Sequence, residues 1–138
     1  MKQFEWNEEY SVGIASIDDQ HKKFFAIANE ILAAREKEVF SRKDLSVLLK
    51  KLRDYALKHF KNEENYFDKL HYQGALHKET HNWYRKKVLI FIERLADPKV
   101  DLRNLAEEIG RYSVYWLADH ILMMDKEYTI YFKEHGVK

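Results

Sequence analysis

The chain has 138 residues, 46% hydrophobic and 34% charged, with 24 Lys plus Arg against 23 Asp plus Glu for a formal net charge of +1. That length suits one domain, residues 1–138, with a continuous core, and so even a charge balance gives no electrostatic basis for binding nucleic acid. The absence of cysteine excludes disulfides, thiolate zinc sites and cysteine-held iron–sulfur clusters.

The N-terminal sequence MKQFEWNEEY lacks the basic start and apolar stretch of a signal peptide. The longest aliphatic and aromatic run, Val88 to Ile92, is too short to span a bilayer. A cytoplasmic protein with no membrane insertion is therefore expected. One proline and four glycines punctuate the chain, and strand-like alternation is nowhere sustained, so the pattern is one of helices joined by short loops.

Residues 1–17 are irregular but carry Phe4, Trp6, Tyr10, Val12 and Ile14, enough apolar surface to predict an ordered arm packed along the helices. Ser16 and Asp18 stand where an N-cap would open a first helix over about 19–36, with Ile17, His21, Phe24, Ala28, Ile31 and Leu32 on one stripe. Ser41 followed by Asp44 resembles a capping signal for a second helix over about 42–68. Its inward stripe runs from Leu45 through Leu52 and Ala56 to His59, Glu63 and Phe67. A third helix follows Gly74, over about 75–96, with His77, His81, Tyr84, Val88, Phe91, Ile92 and Leu95 inward, and Asp97-Pro98 ends it. A fourth spans about 101–133, where Gly110 is expected to bend or divide it at a cost of about 1 kcal/mol relative to alanine; Gly136 closes it. Four helices with short connections predict an all-α, up-down-up-down four-helix bundle.

Five of the seven histidines fall on these inward faces in a pattern that carries chemistry. His59 and Glu63, and likewise His77 and His81, are four residues apart, about 40° around a helix and one turn along it, so each pair can reach one ion. His21 opens the first helix, and His120 and Asp125 lie well down the fourth. In alternating topology the start of one helix lies beside the end of the next, and all seven side chains converge at one end of the bundle. Neutral imidazoles dominate the set, which suits iron, zinc or copper over magnesium or calcium.

The step from His120 to Asp125 is five residues, about 140° around a straight helix and roughly 7.5 Å along it. Either the two flank a broad inward face, or a local π-bulge brings them together. Seven donors exceed the three or four protein ligands of a tetrahedral zinc site. They fit two ions if Glu63 and Asp125 each bridge, one solvent-derived oxygen also bridges, and the imidazoles divide three and two. One metal is then six-coordinate and the other five-coordinate, leaving one open position.

Other polar and aromatic residues take ordinary roles. His71 and His135 sit near helix ends, and Glu64 and Asp119, turned about 100° from their ligand neighbours, are expected to be solvated. Trp83 and Trp116 are expected to be ordinary packing residues, Trp116 being close enough to His120 to border a pocket.

The ordered motifs WNEEYSVGIASI (Trp6 to Ile17), IDDQH at His21, HFKNEE at His59 and Glu63, HKETH at His77 and His81, and WLADHILMMD ending at Asp125 resemble the hemerythrin family, in particular its short bacterial members. The resemblance covers nearly the whole chain. It implies a non-haem di-iron centre that binds dioxygen reversibly, with two iron ions as cofactor. His77, His81 and His120 would hold the six-coordinate iron, His21 and His59 the five-coordinate one, and Glu63 and Asp125 would bridge. It also suggests Trp116 and Leu117 as apolar lining of the oxygen pocket; Ile121, Phe25 and Phe60 join them from their positions beside ligands.

The expected function is dioxygen storage, transport or delivery, with an oxygen-consuming enzyme as the kind of recipient a delivery role needs. The alternatives are a di-iron enzyme (peroxidase, ferroxidase or nitric-oxide handling) and a stand-alone oxygen or redox sensor. Ferritin-like di-iron enzymes use more carboxylates and fewer histidines, the reverse of the balance here.

Overall fold

A computed structural model describes residues 4–137. Met1 to Gln3, the start of the expected arm, and Lys138 lie outside the described residues. The helices are α1 (Ala15–Ala34), α2 (Arg42–Lys69), α3 (Ala75–Ala96), α4 (Leu102–His120) and α5 (Lys126–Glu134), with a π-helical turn at Ile121–Asp125 joining the last two into one rod. Each rod packs on its sequence neighbour and α1 packs closely on α4, which closes the ring of a four-helix bundle. No strand occurs among the described residues.

α1 begins four residues before the expected start at residue 19, and its N-cap, Ile14, makes no side-chain capping bond. Asp18 serves the arm instead. Its carboxylate accepts from Ser11 Oγ (2.6 Å) and from the Val12 backbone N–H (2.8 Å), so it ties the arm down from inside the first helical turn. The acidic charge there also suits the positive end of the helix dipole. Farther along, Asn29 clasps Phe4 in both directions, accepting from its N–H (3.1 Å) and donating to its carbonyl (2.7 Å). Val12 and Ile14 are buried, and Lys22 lies over the Trp6 ring. From residue 4 onward the arm is ordered along the bundle as its apolar content predicts.

α1 stops at Ala34, short of the expected residue 36. The carbonyls of Arg35, Lys37 and Glu38 bond instead to the Arg103 guanidinium of α4. α2 opens with a full capping box: Asp44 N–H to Ser41 Oγ at 3.1 Å, and Ser41 N–H to the Asp44 carboxylate at 3.0 Å. It ends in a Schellman arrangement with His71 in the left-handed region (φ 56°). Tyr72 N–H reaches Phe67 O (2.8 Å), His71 N–H reaches Asp68 O (3.4 Å), and the Tyr72 ring packs on Phe67. His71 thus adopts a conformation normally given to glycine.

Gly110 does not divide α4, which runs through it unbroken. A Cβ at this buried position would lie 2.5 Å from Leu32 Cγ, so glycine is present to let α4 approach α1.

The core is divided along its length. Ile31, Leu45, Leu49, Leu52, Phe91, Leu105 and Ile109 fill one end with hydrocarbon, while His21, His59, Glu63, His77, His81, His120 and Asp125 occupy the other, all buried.

Gly110→Ala should destabilise the protein by about 1–3 kcal/mol through overpacking against Leu32, although alanine is the better helix former. The check is the midpoint of chemical denaturation; an unchanged or raised midpoint would contradict the close approach.

Candidate metal centre

The seven predicted residues come together at the far end of the bundle from the hydrocarbon core, and none is more than 5% exposed. Their donor atoms form two clusters, His77, His81 and His120 in one, and His21, His59, Glu63 and Asp125 in the other, each with its atoms within 4.8 Å of one another. Asp125 spans the two. One carboxylate oxygen lies 2.9 Å from His77 Nε2 and 3.1 Å from His120 Nε2, and the other 3.0 Å from His21 Nε2. Glu63 spans them more loosely, with Oε1 2.6 Å from His59 Nε2 and 3.9 Å from His81 Nε2.

The π turn is what lets Asp125 do this. Lys126 N–H bonds to Ile121 O, an i to i−5 link. The wider turn brings residues five apart to nearly the same side of the helix, and His120 and Asp125 meet instead of diverging by about 140°.

The outer nitrogens of three imidazoles decide the chemistry of the inner ones. His59 Nδ1 lies 2.6 Å from Gln20 Oε1, an acceptor, so this nitrogen carries the hydrogen. His81 Nδ1 lies 2.7 Å from a Glu64 carboxylate oxygen and must also donate. The Thr80 hydroxyl spends its proton on His77 O (2.7 Å), so at 3.2 Å it accepts from His120 Nδ1. Each of these imidazoles, when neutral, therefore aims an Nε2 lone pair inward. Yet His120 Nε2 lies 2.8 Å from His77 Nε2 and 3.2 Å from His81 Nε2. Both oxygens of Glu63 and of Asp125, both nitrogens of His21, and His59 Nε2 have no partner in hydrogen-bond alignment among the described residues. Acceptors that face acceptors in a dry interior repel unless a cation lies between them. The residues present therefore fit metal ions well.

The site's protonation follows the same conflict. Burial pushes His81 down to about 4 despite the Glu64 hydrogen bond, which keeps it neutral and ready to ligate at neutral pH. Burial opposes charge on His120 too, but Asp125 outweighs it and raises His120 above the usual range. Burial works against an ionised Asp125, yet His120, His21 and His77 around it hold its carboxyl well below the usual range. Glu63 is also lowered, since His59 and His81 outweigh both burial and the repulsion of Asp125.

Aromatic rings wall the three-histidine cluster. Phe60 stacks on His81 (centroids 4.1 Å, planes 10° apart) and Trp116 on His120 (4.5 Å, 12°). Trp116 is thus a direct neighbour of a ligand-set histidine, beyond the ordinary packing expected of it, whereas Trp83 is 53% exposed and packs little. Leu117 and Ile121 are fully buried on either side of His120 in sequence. Phe25 stacks against Phe4 (4.3 Å) and beside Tyr10, where it seats the arm.

Glu64 corrects a second expectation. It is half-buried, holding His81 Nδ1 and receiving Arg85 at 3.1 Å, whereas Asp119 is exposed as expected. Gln20, Thr80 and Glu64 each precede or follow a ligand-set residue in the chain, a signal that was legible in sequence but does not by itself say which histidine each one reaches.

The family model for the Hemerythrin HHE cation binding domain matches residues 12–129. A bacteriohemerythrin of Clostridium acetobutylicum is 32% identical over 128 residues, covering 91% of this chain and 98% of the relative. A hemerythrin-like protein of Naegleria gruberi is 29% identical over 126 residues, covering 91% and 90%. The crystal structure of a wild-type hemerythrin superposes with a TM-score of 0.82 at 25% identity, covering 94% of this chain and 97% of that one.

Removing the Glu64 carboxylate frees His81 to rotate and to change tautomer. Glu64→Ala should lower metal affinity about 10–100-fold, whereas Asp119→Ala, next to His120 but exposed, should leave it unchanged. Competition with a chelator measures both; equal affinities in the two variants would contradict the role given to Glu64.

Proposed function

The chain belongs to the hemerythrin family, and from that footing we propose that it binds dioxygen reversibly at a non-haem di-iron centre. The observation that carries this reading is the set of convergent, donor-starved lone pairs: five imidazoles and two carboxylates that span both clusters. His77, His81 and His120 would hold one iron and His21 and His59 the other, with Glu63 and Asp125 placed to serve both. When bound there, two ferrous ions would supply the two electrons on which reversible dioxygen binding draws. A three-to-two division of imidazoles would leave room for a small ligand on the side of His21 and His59.

The remaining work falls to the chain itself. Gln20, Glu64 and Thr80 keep imidazole hydrogens outside and lone pairs inside. Phe60, Trp116, Leu117 and Ile121 form an apolar lining that keeps water and stray protons from a small bound ligand, which protects reversibility. Tyr128, fully buried, is raised well above the usual phenol range by burial and keeps its proton. The protein acts as an oxygen binder and not as a catalyst. Storage or delivery of dioxygen to an oxygen-consuming enzyme in the cytoplasm is the role this implies, and no helix among the described residues is long and apolar enough to cross a membrane.

Purified protein, reduced without oxygen, should hold about two irons per chain, and its visible spectrum should change when dioxygen is admitted and return when it is removed. A single zinc, or no spectral return, would sink the carrier reading; rapid peroxide turnover with poor return would favour an enzyme. His59→Ala should weaken iron loading at least about tenfold. His71→Gly, which relieves the left-handed backbone at the end of α2, should load iron normally and gain up to about 1 kcal/mol of stability.

A further inference from the structure

Behind His59, α1 and α2 leave an open cleft of about 400 Å³ whose lining includes Lys23, Lys58, Lys61, Gln20, Asn62 and the buried His59. The spacing is helical: Lys58, Lys61, Asn62 and Asn65 follow one face of α2, and Gln20 and Lys23 one face of α1. Among the described residues, no Asp or Glu lines it. Lys23 lies over the Tyr55 ring, and the acid that bears on that ring is Asp19. Neither Lys58 nor Lys61 has an ion-pair partner among the described residues, whereas Lys51 and Lys78 elsewhere are paired with Glu30 and Asp68. Gln20 is oriented by its neighbours. Its carbonyl oxygen takes His59 Nδ1–H and receives the Asn62 amide at 3.4 Å, so its NH₂ is the end left for a ligand.

A solvated helix face would carry mixed charge. This cleft instead gathers three lysines and an oriented amide donor around a concave surface whose lining includes no Asp or Glu. We propose that it binds a small oxyanion of the phosphate or pyrophosphate class. The anion accepts from Lys58, Lys61 and Lys23 and from the Gln20 amide. If the di-iron reading of the site holds, on which this second step rests, the cleft is also coupled to it. An anion drawing on the Gln20 NH₂ polarises its carbonyl, which makes it a stronger acceptor for His59 Nδ1–H and His59 Nε2 a more electron-rich ligand.

Isothermal titration of the full-length purified protein with pyrophosphate, at ionic strength held constant with chloride, tests the site. The expected result is saturable one-to-one binding that weakens at least tenfold in the Lys58→Gln/Lys61→Gln double variant. The control pair Lys37→Gln/Lys43→Gln should leave it unchanged; those lysines line a different hollow, one that includes Asp44. Absence of saturable heat, or equal weakening by both pairs, would overturn the site by reducing it to overall charge. Coupling is read from the visible spectrum of the iron-loaded protein, which should shift with the calorimetric midpoint. Saturable heat with an unmoved iron spectrum overturns the coupling but keeps the anion site. Saturable heat in a protein that takes up no iron counts against the di-iron reading alone.

Discussion

Lone pairs directed at lone pairs in a water-free interior are the constraint around which this bundle is organised. Three imidazoles are held by Gln20, Glu64 and Thr80 with their hydrogens outward. Their inner nitrogens then meet one another and two carboxylates that have no aligned donors among the described residues. Unsatisfied, such groups cost on the order of 1–3 kcal/mol each. Folding therefore prepares a cation's site in advance, and a proton on His120, favoured by Asp125, is only a partial substitute for a metal ion.

The bundle accommodates that conflict by separating functions along its axis. One end is plain hydrocarbon, closed by the approach of Leu32 to Gly110 and by the Arg103 guanidinium over the end of α1. Burial there stabilises the fold without reference to the metal site. The other end can hold frustrated polar groups because helix backbones and aromatic rings, not the ligands themselves, determine where the ligands lie. The tied-down arm extends this logic: Asp18 holds it at the start of α1, one helical turn before His21.

Most of the ligand geometry was readable in the chain, since i, i+4 spacing on a helix is a distance statement and alternating topology brings the four segments to one end. Capping by Ser41 and Asp44 was equally local and equally legible. What was not readable depended on contacts between distant segments. Asp18 has the composition of an N-cap but bonds back to the arm; Glu64 points away from the ligand stripe of its own helix yet reaches His81 on the next. Gly110 is the same kind of case, a helix breaker by propensity whose purpose is set by a leucine on another helix. The five-residue step to Asp125 stayed ambiguous because α and π turns differ by one residue, and only the packed environment selects between them.

The two halves of the centre are not supported alike. On the three-histidine side, His81 and His120 have outer nitrogens held by side chains of the bundle, and flat rings, Phe60 and Trp116, stack on their faces. On the other side, His59 is held by a glutamine that forms the wall of an open cleft, while His21 Nδ1, like His77 Nδ1 in the three-histidine cluster, has no hydrogen-bond partner among the described residues. A ligand clamped at both nitrogen and ring face gives its metal little latitude, while one held through a half-exposed amide can adjust. Under the proposed assignment, the side with two imidazoles would be the one that takes up a small ligand. The difference in support would then match what each metal has to do under the proposed function. A coordinatively filled metal gains from rigidity, and a metal that takes up and releases a small ligand needs neighbours that can follow the change.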